Sequence, residues 1–169
     1  VLEADNTGPV HPISGLAYYR ERNHLLIVEE VLEDKLYVTE PLRLDFLVED
    51  NARVTAYKPI RNVVIENLSV HSVNEADLNL ILFQYAYRCQ VTNVVVSGFT
   101  RSGVRINWSK GCVIADTVSR DARWFGGGGQ GYGFNVSRSH DNLLERNESQ
   151  NVRHAFVINF GNGGNLIRY

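Results

Sequence analysis

Three residues of this 169-residue chain could between them move a proton beside a carboxylate: Tyr132, Arg153 and His154. Removing a carbon-bound proton next to a carboxylate needs a cation to neutralise the acid, a base to take the proton and an acid to return one. Arginine, histidine and tyrosine suit those tasks in that order. This is the chemistry of β-elimination from a uronate, or of its epimerisation. Asp121, Arg123 and Trp124 open a segment, Arg123-Trp-Phe-Gly-Gly-Gly-Gly-Gln-Gly, that leads to Tyr132. Trp124 offers an indole face to a sugar ring, and Arg123 a second clamp for a carboxylate. Glycoside hydrolysis would instead need two carboxylates flanking one bond. Asp116, Asp121, Asp141 and Glu145 are available, but no spacing pairs them.

Each of these residues also has a structural reading. His154 and Tyr132 could form a buried, hydrogen-bonded pair, and Arg153 a salt bridge. His140, in Ser139-His-Asp-Asn, reads as a solvated turn residue, and Trp108 as a packing residue. The four-glycine run lacks the Lys-Ser/Thr of a phosphate-binding loop and reads as a flexible loop. No His, Cys, Asp or Glu spacing matches a metal site; neither calcium nor any other cofactor is indicated. Cys89 and Cys112 lie about one coil apart in the sequence and read as two buried thiols rather than a bridge.

The elements that would position Tyr132 and His154 are strands of a repeat. Ser102-Gly-Val-Arg-Ile, Tyr132-Gly-Phe-Asn-Val and His154-Ala-Phe-Val-Ile superimpose. They place Val104, Phe134 and Phe156 in one column and Ile106, Val136 and Ile158 in another, with Arg105, Asn135 and Val157 between. Alternation of period two is the mark of a strand with one buried face. Tyr132 and His154 then fall at one position of adjacent coils, about 4.8 Å apart.

A second set of segments starts at Asn62, Asn93, Cys112, Asn142 and Asn165, and the gaps between successive starts alternate long and short. The short gaps suit one solenoid coil, and the long ones a coil with an inserted loop. Their asparagines predict a side-chain ladder at a turn. The asparagines of the sequons at Asn67, Asn107, Asn135 and Asn147 read as turn residues rather than glycan acceptors. The stretch from Glu75 to Arg88 reads as strand through Leu78, Leu80 and Leu82.

The expected architecture is an all-β, right-handed parallel β-helix over residues 61–169, preceded by an N-terminal β segment over residues 1–60. Val1 at the start, the lack of Met, and a stop at Tyr169 just after a coil begins predict a fragment of a longer polypeptide. A net charge of −2 gives no basic patch for nucleic acid. No apolar run is long enough to span a membrane.

The Asn-led strands, with Tyr132-Gly133-Phe134 and Arg153-His154-Ala155-Phe156, resemble the pectate-lyase-like superfamily of right-handed β-helices. That resemblance implies an extracellular or virion-surface protein whose partner is a polysaccharide. Within the superfamily, lyases and epimerases act on acidic glycans, others are glycoside hydrolases, and tailspikes and adhesins are rods, the last implying a homo-oligomer such as a trimer. Tyr132-Gly133-Phe134 is similar to the Tyr-Gly-Phe motif of mannuronan C5-epimerases. There Asp-Pro-His follows; here Asn135-Val136-Ser137 stands in its place.

Overall fold

The computed structural model describes residues 1–5, 21–74, 76 and 78–169, and their regular structure is nearly all β. The N-terminal part is antiparallel. Strand β1 (Leu2–Asp5) lies between β2 (Glu21–His24) and β5 (Arg53–Val54), and β3 (Val28–Leu32) forms a hairpin with β4 (Lys35–Val38). Glu75 and Asp77, which belong to the Glu75–Arg88 stretch, lie outside the described residues.

From there the chain winds into a parallel β-solenoid of about 4 turns. One wall is a four-stranded parallel sheet of β8 (Asn79–Gln84), β11 (Ser102–Asn107), β14 (Tyr132–Ser137) and β17 (His154–Asn159). The other wall begins with two long strands, β7 (Val64–His71) and β10 (Gln90–Ser97). In later coils it splits into β12 (Val113–Ala115) with β13 (Val118–Arg120), and β15 (Leu143–Glu145) with β16 (Glu148–Gln150). Strand β18 (Leu166–Arg168) follows β15. A short parallel pair, β6 (Ile60–Arg61) and β9 (Ala86–Tyr87), completes the strands.

The register of the four-stranded wall is the one the alternation predicts. Val104 pairs with Phe134 and Phe134 with Phe156, while Ile106 pairs with Val136 and Val136 with Ile158. Val104, Ile106, Phe134 and Val136 are essentially solvent-free and join Val91, Val94, Val96, Ile114 and Leu144 in one core. In β8 the strand assignment holds but the face is inverted. Ile81 and Phe83 enter the core, whereas Leu78 and Leu82 are exposed. The alternation also slips at the start of β11 and β14, where Gly103 and Val104, and Gly133 and Phe134, are buried in succession. A Cβ on Gly133 would lie 2.4 Å from Ser149 Oγ and 2.7 Å from the Ala155 carbonyl oxygen, so only glycine fits. Beyond this slip His154 is exposed and Tyr132 half-buried, although sequence parity groups them with Phe156 and Phe134.

The segments that start at Cys112, Asn142 and Asn165 stack in the expected register, whereas those at Asn62 and Asn93 do not join them. Gln90 pairs with Val64 and with Val113, Val113 with Leu143, and Leu143 with Leu166. Each coil therefore takes roughly 20–30 residues, within the usual range of solenoid repeats. Asn93 matches Asn67, not Cys112 or Asn142, and its amide donates to Asn67 Oδ1 at 2.8 Å. This corner carries left-handed backbone at Asn67, Asn93, Asp116 and Arg146, a conformation that asparagine and aspartate tolerate best. A second corner stacks Cys89, Cys112, Asn142 and Asn165. The Cys112 N–H donates to Asn142 Oδ1 (2.9 Å), and the Asn142 N–H donates to Asn165 Oδ1 (3.0 Å). A third ladder runs from the Ala86 N–H to Ser109 Oγ, the Ser109 N–H to Ser139 Oγ and the Ser139 N–H to Asn162 Oδ1. Side chains here satisfy corner N–H groups that strand pairing leaves without partners. Cys89 and Cys112 are buried free thiols, and burial pushes the Cys112 thiol up to about 12.

Candidate functional site

Parallel pairing of β14 with β17 sets Tyr132 directly beside His154, with ring centroids 5.4 Å apart and planes tilted by 52°. Arg153 precedes β17, half-buried, and its N–H donates to the Gly131 carbonyl at 2.8 Å. The three sequence-selected groups therefore share one stretch of surface at the start of the four-stranded wall. Among the described residues no side-chain hydrogen bond orients Tyr132, His154 or Arg153.

The insertion before Tyr132 divides into an anchor and an exposed tip. Arg123 is the anchor: its Nε donates to the Gly98 carbonyl at 3.0 Å and its Nη2 to the Ser72 carbonyl at 2.5 Å. Its guanidinium thus donates to backbone of the two preceding coils, an anchoring role absent from the sequence reading. Trp124 and Phe125 form the tip, 52% and 48% exposed. Added Cβ atoms on Gly127, Gly128 and Gly129 would meet nothing within 4 Å. Asp121 lies in a corner column with Gly98 and Asn151, all with positive φ, and accepts from Asn151 Nδ2 at 3.3 Å.

The other carboxylates are engaged in ion pairs, Asp116 and Glu145 about one shared arginine and Asp141 apart from them. Asp116 takes both arms of Arg146 (2.7 and 2.8 Å), whose hydrogen bonds hold its carboxyl below the usual range. Glu145 takes Arg168, with Arg146 alongside. Trp108 has the packing role expected of it: half-buried, it has the Arg138 guanidinium 5.5 Å from its ring and lies 6.4 Å from Tyr57. Tyr57 in turn stacks on Tyr85 at 4.6 Å, beside an apolar cavity of about 440 Å³.

One cluster is absent from the sequence reading. His140, expected in solvent, is 2% exposed and stacks on His24, itself 1% exposed, with centroids 5.0 Å apart. Residues of the N-terminal part cover it. Around the pair, Lys110 bridges Glu40 (2.7 Å) and Asp141, and Arg43 also binds Asp141 (2.5 Å). Only the sequence distance of His24, Glu40 and Arg43 from His140 hid this, since no local pattern predicts which segment covers a corner.

Burial and the neighbouring cations disfavour protonation of both imidazoles, and His140 is lowered to about 3. The unfolded chain therefore takes up protons below pH ~6.5 that the folded chain refuses, and stability drops as the pH falls, by up to ~1.4 kcal/mol per pH unit for each histidine. For Asp141, burial raises the carboxyl, but hydrogen bonds from Lys110 and Arg43 outweigh it and hold it low. Its contribution is lost lower still, as pH falls through that depressed value. Urea unfolding should show a midpoint that drops steadily from pH 7.5 to 4.5, and His140→Gln should flatten the drop. An unchanged slope in His140→Gln would rule this pair out as its source.

Among the described residues, no group of three His, Cys, Asp or Glu side chains could hold a metal ion, and no helix is long and apolar enough to cross a membrane. No family model, curated protein or solved structure matches the sequence.

Proposed function

We propose that this chain is a carbohydrate-active solenoid of the right-handed, pectate-lyase-like kind, working outside the cell or at a virion surface. It acts on an acidic polysaccharide by β-elimination or epimerisation. The supporting observation is the Tyr132–His154 pair on adjacent coils, at 5.4 Å, with Arg153 next in the chain. His154 is the base, Tyr132 the acid and Arg153 the carboxylate clamp; Trp124, 52% exposed at the tip of the insertion, offers a face for a sugar ring. The right hand follows from the strong preference of parallel strands for right-handed crossovers.

The test is a panel of acidic polysaccharides incubated with the protein and followed by ultraviolet absorbance, which rises as unsaturated uronate ends form. A rise on at least one glycan is expected if elimination is the reaction, and an exchange of the C5 proton with solvent if it is epimerisation. Neither signal on a glycan that binds would remove catalysis.

One observation favours a second reading, a non-catalytic glycan-binding or structural rod of the tailspike or adhesin type. Catalytic groups are held by neighbouring hydrogen bonds, and the described residues supply none to Tyr132, His154 or Arg153. That reading expects binding without turnover, and self-association as a trimer in light scattering. Hydrolysis has less support, because Asp116, Asp141 and Glu145 are all engaged in ion pairs, Asp116 and Glu145 with the same Arg146.

A further inference from the structure

The N-terminal part and the first coils of the solenoid border the apolar cavity of about 440 Å³ beside Tyr57 and Tyr85. That volume falls in the usual range of small-molecule sites, about 300–1000 Å³. The N-terminal part contributes aliphatic side chains to it, among them Val28, Val31, Leu36 and Val54, which are between 46% and 62% exposed. The start of the solenoid contributes aromatic ones, Tyr85, Tyr87 and Trp108, with Tyr57 stacked on Tyr85 at 4.6 Å. Aliphatic side chains left this open to water forgo the gain of burial, and when they gather around one concavity they mark a binding surface. Positive charge is gathered at one place on the same cavity. Arg61 lines it, and parallel pairing sets Arg61 beside Tyr87. The Arg61 guanidinium stands 5.9 Å from the centre of the Tyr87 ring, and that of Arg88 5.0 Å from it. Both arginines are exposed, and among the described residues neither has a carboxylate partner. Lys110, the other cation of the lining, is already paired with Glu40 and Asp141. Glu3, whose charge reaches Tyr57, is itself paired with Arg53 at 3.1 Å.

These features narrow the ligand. Apart from the tyrosine hydroxyls and the indole N–H, the lining side chains with polar atoms are Thr55, Arg61 and Lys110. A sugar ring would bring hydroxyls that so few partners could not satisfy, and an inorganic anion would leave the aliphatic side chains in water. An apolar body that carries one anionic group matches both the carbon lining and the two guanidiniums. We infer that this cavity binds a small amphiphilic carboxylate of the fatty-acid type, its aliphatic tail among the N-terminal aliphatic and solenoid aromatic side chains and its carboxylate at Arg61 and Arg88. The planar fork of a guanidinium matches a carboxylate, and each such bond is charge-assisted. The site is separate from the Tyr132–His154 pair and does not depend on the polysaccharide reading.

The test is calorimetric titration of the full chain with decanoate, decanol and acetate, below micelle-forming concentrations; these are the whole amphiphile, its tail and its charge. Decanoate should bind, with decanol roughly tenfold weaker and acetate weaker still. Replacing both arginines, Arg61→Ala with Arg88→Ala, should bring decanoate down to the affinity of decanol and leave decanol unchanged. Arg120→Ala, a loss of charge elsewhere, should alter neither. The chain has two tryptophans, so in the Trp124→Phe protein a decanoate-dependent change in emission reports on Trp108 and places the ligand in this cavity. Circular dichroism checks folding, and Arg61→Gln with Arg88→Gln serves if the alanine pair fails to fold. Equal affinity for decanol and decanoate, or wild-type decanoate affinity in the double variant, would overturn the carboxylate site. No decanoate binding, or binding that leaves Trp108 emission unchanged, would overturn the cavity as its place. A dimer that Val31→Asp separates and decanoate does not would overturn it in favour of an interface between copies.

Discussion

In the His154→Ala protein, the rate of uronate elimination should fall by about 10²–10⁴-fold, the usual contribution of a positioned general base. The substitution removes the imidazole beside Tyr132 and leaves the solenoid intact, because His154 is exposed and contributes nothing to the core. Tyr132→Phe tests the partner. It keeps the ring beside residue 154 but loses the hydroxyl proposed to return the proton, so a comparable drop is expected with little change in apparent affinity. Both variants should melt within a few degrees of the parent. Full turnover in His154→Ala would eliminate this histidine as the base, and loss of folding in either variant would show that the pair is structural.

Phe134→Ala should cost about 3–5 kcal/mol of unfolding free energy, read from the urea midpoint. Phe134 is wholly buried and stacks on Phe156 with centroids 5.0 Å apart, while pairing with Val104 on the other side. Each coil of a solenoid touches only its neighbours. A hole at this position therefore weakens two inter-coil interfaces at once, and no third layer can collapse into it. Phe125→Ala is the control: its ring is 48% exposed at the insertion tip, and its loss should stay within about 0.5 kcal/mol. A loss under about 1 kcal/mol for Phe134→Ala, well short of the usual cost of such a cavity, would mean that this column does not hold the coils together.

The contrast between what the sequence revealed and what it hid follows from how each feature is encoded. Val104, Phe134 and Phe156 were legible because burial on one face enforces a period of two, and the strands that carry them pair without offset. The asparagines misled because two different corners use the same residue type. Asn67 and Asn93 turn the backbone in left-handed geometry, whereas Asn142 and Asn165 cap corner N–H groups with their side chains. Aligning them by identity shifts the register. In β8 the run Leu80-Ile-Leu-Phe is apolar throughout, with polar residues only at the strand ends, Asn79 and Gln84, so Leu82 and Ile81 were not told apart. His140 looked like a turn residue because it is one, and the segment that buries it lies far earlier in the chain. Tyr132 and His154 were brought together correctly, but the anchoring of Arg123 was invisible. Its partners are carbonyl oxygens of Gly98 and Ser72, and backbone acceptors leave no trace in a side-chain pattern.

The near-equal lengths of the coils, set by the register from Val64 through Gln90, Val113 and Leu143 to Leu166, also bear on how the chain finds its fold. The entropy lost in closing a loop depends on the logarithm of its length, and each doubling adds only about 0.6 kcal/mol. The longest coil here falls well short of twice the shortest. Every coil that docks on the one before it closes a segment of nearly the same size, whatever its place in the stack. The cost of the next step is therefore almost constant. Assembly can begin at the core around β11 and β14 and advance a coil at a time in either direction, and adding coils would lengthen the process without raising its steepest barrier.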